Sequence, residues 1–207
     1  MNTDDLIGNL ASEGALASRP ASRTWPLPLL AAVALCLGGL GIVLGAPLQP
    51  LPAIGVAPYA MKLAFSLSVA VAAAFALKAA ATPGRAVTRR LVALAVPFAA
   101  LLILAGMEFA AGVGQWPGDT WAQCVSAIAL GSLPTFVAAL EVTRRFAPTR
   151  LRLSGAIAGL FAGAGAASAY ALWCPETDAA FLLSWYAGPM LLAGTIGWLL
   201  GPRLLRW

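Results

Sequence analysis

Histidine is absent from the chain. Its absence removes the commonest general base and a common zinc ligand. A Ser-His-Asp nucleophilic centre cannot be built without it. Charge is scarce as well: 10% of the residues are Asp, Glu, Lys or Arg, where soluble domains carry about a quarter. No Gly-rich loop runs into Lys-Ser or Lys-Thr to cradle a phosphate, and the 3 cysteines form no Cys-x-x-Cys pair. This composition points to no enzyme and to no cofactor. Residues 1–25 do not read as a secretory signal peptide, which starts basic and continues apolar; this chain starts Asn2-Thr3-Asp4-Asp5.

What is abundant is apolar, at 60% of the residues. Such a chain cannot hide its side chains in one small core, so lipid must cover part of them. Six stretches reach the roughly 20 mostly apolar residues that a spanning helix needs: Pro26–Ala46, Tyr59–Ala80, Leu91–Gly112, Ala122–Val142, Leu153–Trp173 and Ala179–Leu200. Barrel strands are shorter, about ten residues, and alternate in polarity. The expectation is an all-α membrane protein with six transmembrane helices over 26–207, preceded by an N-terminal segment over 1–25.

Basic residues set the orientation. Arg19 and Arg23 precede the first span; Lys78, Arg85, Arg89 and Arg90 flank the second connection; Arg144, Arg145, Arg150 and Arg152 flank the fourth; Arg203 and Arg206 follow the last. With six spans, all of the 13 basic residues except Lys62 fall on one side. That side is read as the cytoplasm of a bacterial inner membrane, with both termini inside. The net charge of +5 is then a topology signal, and no nucleic-acid partner is expected. The opposite face is acidic and aromatic, with Asp119, Glu176, Asp178, Trp116, Trp121, Trp173 and Trp185.

Gly155, Gly159, Gly163 and Ala167 recur every four residues in the fifth span, a stripe that lets another backbone approach closely. Gly41 and Gly45 suggest the same in the first span, and Gly197 and Gly201 in the last. Pro97, Pro134 and Pro189 lie inside spans and are expected to kink them. Two ionisable residues lie at membrane depth, Lys62 and Glu108. Intramembrane charge is a functional signal; alternatively Lys62 snorkels to the interface or pairs with Glu108.

Cys36 reads as a small apolar core residue in mid-span. Cys124 opens the fourth span and Cys174 ends the fifth. Those spans are antiparallel neighbours joined by a short turn, and at about 1.5 Å per residue both sulfurs lie roughly 27 to 33 Å from it. Both therefore reach the periplasmic face, where thiols meet oxidant. Such a pair can form a static disulfide, act as a sensing or redox pair, or bind a soft metal with help from Glu176, Asp178 or Asp119.

Residues 2–17 read as a short amphipathic helix. Thr3 suits its cap, Asp4 and Asp5 its first turn, and Leu6, Ile7 and Leu10 make an apolar edge. An acidic amphipathic segment suits a groove on a basic protein.

The start Thr3-Asp4-Asp5-Leu6-Ile7, the run Tyr170-Ala171-Leu172-Trp173-Cys174-Pro175-Glu176 with Trp185-Tyr186, and the ending Leu200-Gly201-Pro202-Arg203-Leu204-Leu205-Arg206-Trp207 together resemble the NrsF-type anti-sigma factors, a six-span family. The resemblance covers essentially the whole chain. It implies an extracytoplasmic-function sigma factor as partner, held through Thr3, Asp4, Asp5, Leu6, Ile7 and Leu10. It implies release when a heavy metal or oxidant acts at Cys124 and Cys174. Family members commonly carry a histidine before the second cysteine. Trp173 stands there in this chain, which takes a ligand from a metal site and favours oxidation or direct thiol modification over coordination. The expected lever is the pair of spans four and five, sliding on the glycine stripe.

Two rival readings predict different features. A small-solute transporter or channel calls for polar groups lining a path and for internal repeats; mid-span polar residues are few (Ser66, Ser68, Ser126, Ser132, Thr135, Ser168, Thr195), and the halves show no convincing repeat. A membrane thiol-redox protein calls for Cys-x-x-Cys or a cysteine relay, although two periplasmic thiols could pass electrons.

Overall fold

Six helices follow from the apolar runs. The computed structural model describes residues 3, 5, 7–8, 24–45, 56–82, 86–112, 118–146 and 148–206. They form α1 (Pro26–Leu44), α2 (Val56–Ala81), α3 (Thr88–Ala110), α4 (Trp121–Arg144), α5 (Leu151–Tyr170) and α6 (Ala179–Leu204). All six are long and apolar enough to cross a membrane, and the described residues contain no strand. Leu30, Leu35, Ile42, Val43, Leu102, Ile103, Leu130 and Leu199 point outward and stay exposed. In such a multi-pass protein only lipid can cover them.

The helix ends have local causes. Proline begins α1, where its missing N–H costs nothing. Gly45 ends α1 by taking φ +77°, a left-handed conformation that favours glycine, while its N–H still bonds Gly41. α5 stops at Tyr170, so Trp173 and Cys174 lie in the connection to α6 rather than on the helix. Inside α6 the chain takes one π turn, Leu183–Ala187, just before Pro189 removes an N–H from the ladder. Pro97 and Pro134 stay within continuous α3 and α4.

α5 is the axis of the bundle. It is the least hydrophobic span, yet 83% of its window is buried, against 17% for α1 and for α3. Water does not choose the interior of a membrane protein, because lipid is as apolar as leucine; small residues choose it, by allowing backbones to meet. α5 carries Gly155, Gly159, Gly163 and Gly165 among nine alanine and serine neighbours that are almost all buried. α1, α2, α4 and α6 pack around it.

The glycine stripe differs from the expectation in its partner. A β-carbon at Gly155 would strike the Gly197 carbonyl, one at Gly159 the Ala193 carbonyl, and one at Gly163 the Met190 backbone. The stripe is therefore the α5–α6 seam, where both backbones lock, and not a sliding surface for α4. α4 meets α5 through other atoms: Gly131 sits against Ala166, and the Thr135 hydroxyl donates to the Ala162 carbonyl at 3.2 Å. In α1 the expected close approach is missing. Gly41 has only Trp173 near it and Gly45 nothing, because this helix faces outward over most of its length.

Charge is sorted by the two ends. At one end Arg144 donates to the Leu204 carbonyl, Arg152 lies over Trp198, Lys78 over Trp25 and Arg90 over Phe75. Lys62 lies at the opposite end, near the start of α2. Thr3, Asp5, Ile7 and Gly8 are helical and exposed. Asp4, Leu6, Leu10 and Trp116 lie outside the described residues.

Candidate functional site: a buried thiol pair

The first turn of α4 carries Cys124, whose N–H bonds the Thr120 carbonyl at 3.0 Å. Tyr170 closes α5, and a turn in which the Trp173 N–H bonds the Tyr170 carbonyl at 2.9 Å brings Cys174 back over α4. The two sulfurs face each other at 3.5 Å as free thiols, both fully buried. The expected juxtaposition of Cys124 and Cys174 is present; their exposure to the surface is not. Cys36 is buried against Gly131 in mid-span, away from the pair.

Polar groups surround the sulfurs. Cys124 Sγ lies 3.7 Å from the Tyr170 hydroxyl and 3.9 Å from the Thr120 hydroxyl. Cys174 Sγ lies 4.0 Å from the Glu176 carbonyl. Lys62 reaches in from α2, and its ammonium donates to the Cys174 carbonyl at 2.5 Å while resting 4.6 Å from the centre of the Tyr59 ring. Tyr186 comes from the π turn of α6, its ring 6.4 Å from that of Tyr170. The Tyr186 hydroxyl is buried and close to Cys174, but no acceptor meets it in hydrogen-bond geometry. The 3 tyrosines of the chain thus all lie at this site.

These neighbours hold the Cys174 thiol below the ordinary thiol range, at about 6. The largest cause is the hydrogen bond with the Cys124 sulfur; burial opposes it; Tyr186, the Lys62 charge and the Glu176 backbone assist. A thiolate is the reactive form of cysteine, so Cys174 is the activated sulfur of the pair.

The connection carrying Cys174 is tied to α1, α2 and α4 as well as to the two helices it joins, and α3 is bonded to the first turn of α6 beside it. Trp173 Nε1 donates to Gly45 at the end of α1 at 3.1 Å. Lys62 links α2. Glu108 of α3 accepts the Ala180 N–H at 3.1 Å, placing a carboxylate at the N-terminus of α6. Cys124 links α4, and α5 and α6 flank the connection in the chain. The loop before α4 joins as well: the Asp119 N–H donates to Glu176 Oε1 at 3.3 Å, and Gly118, at φ +75°, lies where a side chain would strike Phe181.

That bond turns the Glu176 carboxylate toward Asp119. Among the described residues no group of three His, Cys, Asp or Glu side chains converges as metal ligands. Lys62 and Glu108 do not pair with each other; each serves the Cys174 connection separately. Sequence reasoning left Lys62 between snorkelling, pairing and function, and it missed Tyr170 and Tyr186. The available signal was a lysine one turn into an apolar span with no acid in its own helix, and a tyrosine one turn before Cys174.

Residues 10–207 match the family model described as a negative regulator of sigma F, NrsF. The chain is similar to a probable anti-sigma-F factor NrsF of Azospira oryzae, with 34% identity over 217 residues, and to the anti-sigma-F factor NrsF of Caulobacter vibrioides, with 34% identity over 220 residues. Each comparison spans 100% of both chains. No solved structure matches the chain.

Proposed function

Since the chain belongs to the NrsF family of negative regulators of sigma F, we propose that it is an anti-sigma factor of the bacterial inner membrane whose thiol pair controls the release of its partner. The partner is an extracytoplasmic-function sigma factor, held by the N-terminal segment through Thr3, Asp4, Asp5, Leu6, Ile7 and Leu10. Both termini are cytoplasmic, which puts the basic end of the bundle inside and the thiol pair at the periplasmic end. Its role is regulatory rather than catalytic.

One observation carries this reading: two free thiols 3.5 Å apart join α4 to a connection that also bonds α1 and α2 and links α5 to α6. Bridging the sulfurs, or modifying one, changes the packing where α1, α2 and α4 meet the turn between α5 and α6. A signal must favour one arrangement over another to switch anything, and shifting capture from almost complete to almost absent takes about 5.5 kcal/mol of such bias. Oxidation or thiol modification suits the pair better than coordination, because two sulfurs alone converge.

The test is co-purification from detergent-solubilised membranes, comparing the full chain with one lacking residues 1–17, with and without peroxide or cadmium. The sigma factor should come down with the full chain alone and leave on treatment. A sigma factor absent under every condition overturns the reading.

A further inference from the structure

The Lys62 ammonium is fully buried about two turns into α2. An ammonium taken out of water needs an anion or a full set of acceptors. Lys62 has the neutral Cys174 carbonyl and the face of Tyr59, and among the described residues it makes no ion pair. The groups around Cys174 are Lys62 and Tyr59 from α2, Glu108 from α3, Cys124 from α4, Tyr170 from α5, Tyr186 from α6, Glu176 and Asp178 in its own connection, and Asp119 before α4. Glu108 is engaged by the Ala180 N–H and Glu176 by the Asp119 N–H. The buried Tyr186 hydroxyl, which has no acceptor, is also at Cys174. A cation without an anion, held at the Cys174 carbonyl, and a hydroxyl without an acceptor therefore both lie at Cys174.

The geometry points to Lys62 as the fixed countercharge of the thiol pair, a positioning residue that holds Cys174 as the thiolate and so makes it the sulfur that reacts first. This rests on the reading of the pair as a sensor. With hydrogen peroxide as oxidant, the Cys174 thiolate attacks one peroxide oxygen, the O–O bond breaks, and hydroxide leaves a sulfenic acid. The Cys124 thiol then attacks that sulfur, the S–O bond breaks, and water leaves as the S–S bond forms. Two electrons pass from the sulfurs to the peroxide. The product bridge is neutral, so Lys62 loses its anion at the moment of oxidation. The thiol state is thereby passed to α2 as an uncompensated buried charge.

The experiment follows bridge formation in the full-length protein in detergent, by the loss of two mass units on treatment with hydrogen peroxide, across pH. Lys62→Gln keeps a donor for the Cys174 carbonyl and removes the charge; Lys62→Arg keeps the charge. The wild-type rate should reach half its maximum below the ordinary thiol range. Lys62→Gln should move that midpoint up by about one unit, which slows bridging about tenfold at pH values below both midpoints and only about twofold near neutrality, and Lys62→Arg should restore most of the loss. A Lys62→Gln protein with the wild-type pH profile overturns the inference. A second measurement does not depend on bridging: in Cys124→Ser, alkylation of Cys174 by iodoacetamide should have a lower midpoint with Lys62 than with Lys62→Gln, and equal midpoints also overturn the inference. If Cys174 alkylates with a low midpoint but the wild-type chain never bridges, the sensor reading fails while Lys62 stands as the countercharge.

Discussion

The Lys62 ammonium and the Cys174 carbonyl are 2.5 Å apart across 112 residues of sequence. The bond joins the start of α2 to the connection between α5 and α6, and it places a charge beside a thiol pair that, among the described residues, no carboxylate approaches as a third ligand. Four expectations follow from this arrangement and the packing around it.

Oxidation should bridge Cys124 to Cys174 and leave Cys36 free. The first two sulfurs are 3.5 Å apart, whereas Cys36 is held at the α1–α4 contact beside Gly131. Peptide mass mapping after peroxide treatment should recover one intramolecular link. Cys124→Ser or Cys174→Ser should each abolish it, and a link through Cys36 would contradict the geometry.

Two glycines should respond in opposite ways to the same substitution. Gly159→Ala puts a methyl group into the Ala193 carbonyl of α6, where neither backbone can move aside. The cost should be about 1–3 kcal/mol, read as a lowered Tm in detergent. Gly39→Ala meets nothing within 4 Å, and in a helix it should be neutral or stabilising by up to about 1 kcal/mol. Equal effects at both positions would refute the account of the α5–α6 seam.

Trp173→Phe keeps a ring beside Gly41 but removes the indole donor to the Gly45 carbonyl. The loss should be about 0.5–1.5 kcal/mol, concentrated at the end of α1. Hydrogen exchange of the last turn of α1 should quicken while α5 stays protected; uniform quickening would mean that the bond does not hold α1 locally.

Stability should depend on pH through Cys174. Its thiol is held down at about 6 in the folded protein, mainly by its hydrogen bond with the Cys124 sulfur, and returns to about 8.5 on unfolding. Between those values the unfolded chain binds more protons, so stability rises with pH. The contribution is complete above about 8.5 and is lost as pH falls through about 6. The Tm of reduced wild-type protein should climb over that window relative to Cys174→Ser, and parallel curves would remove the thiolate from the account.

The sequence by itself determined the number of spans. Runs of about twenty apolar residues can only be helices in lipid, and polar breaks such as Thr82 to Arg85 and Thr143 to Arg152 separate them. It also determined that Cys124 and Cys174 share one end of the bundle, because helix rise is constant and the turn between α4 and α5 is short. The glycine stripe was legible as a contact, since only small residues let backbones meet.

Which helix fills that stripe was decided by tertiary structure alone. A stripe specifies close approach but not the partner, and α6 offered Gly197 and Gly194 in matching register. The burial of the thiols and the arrival of Lys62, Tyr170 and Tyr186 around them were decided in the same way. Their positions depend on how α2, α5 and α6 rotate about their axes, and in lipid that rotation is fixed by packing shape and polar pairing. Hydrophobic periodicity does not report it, because every face of these helices is apolar.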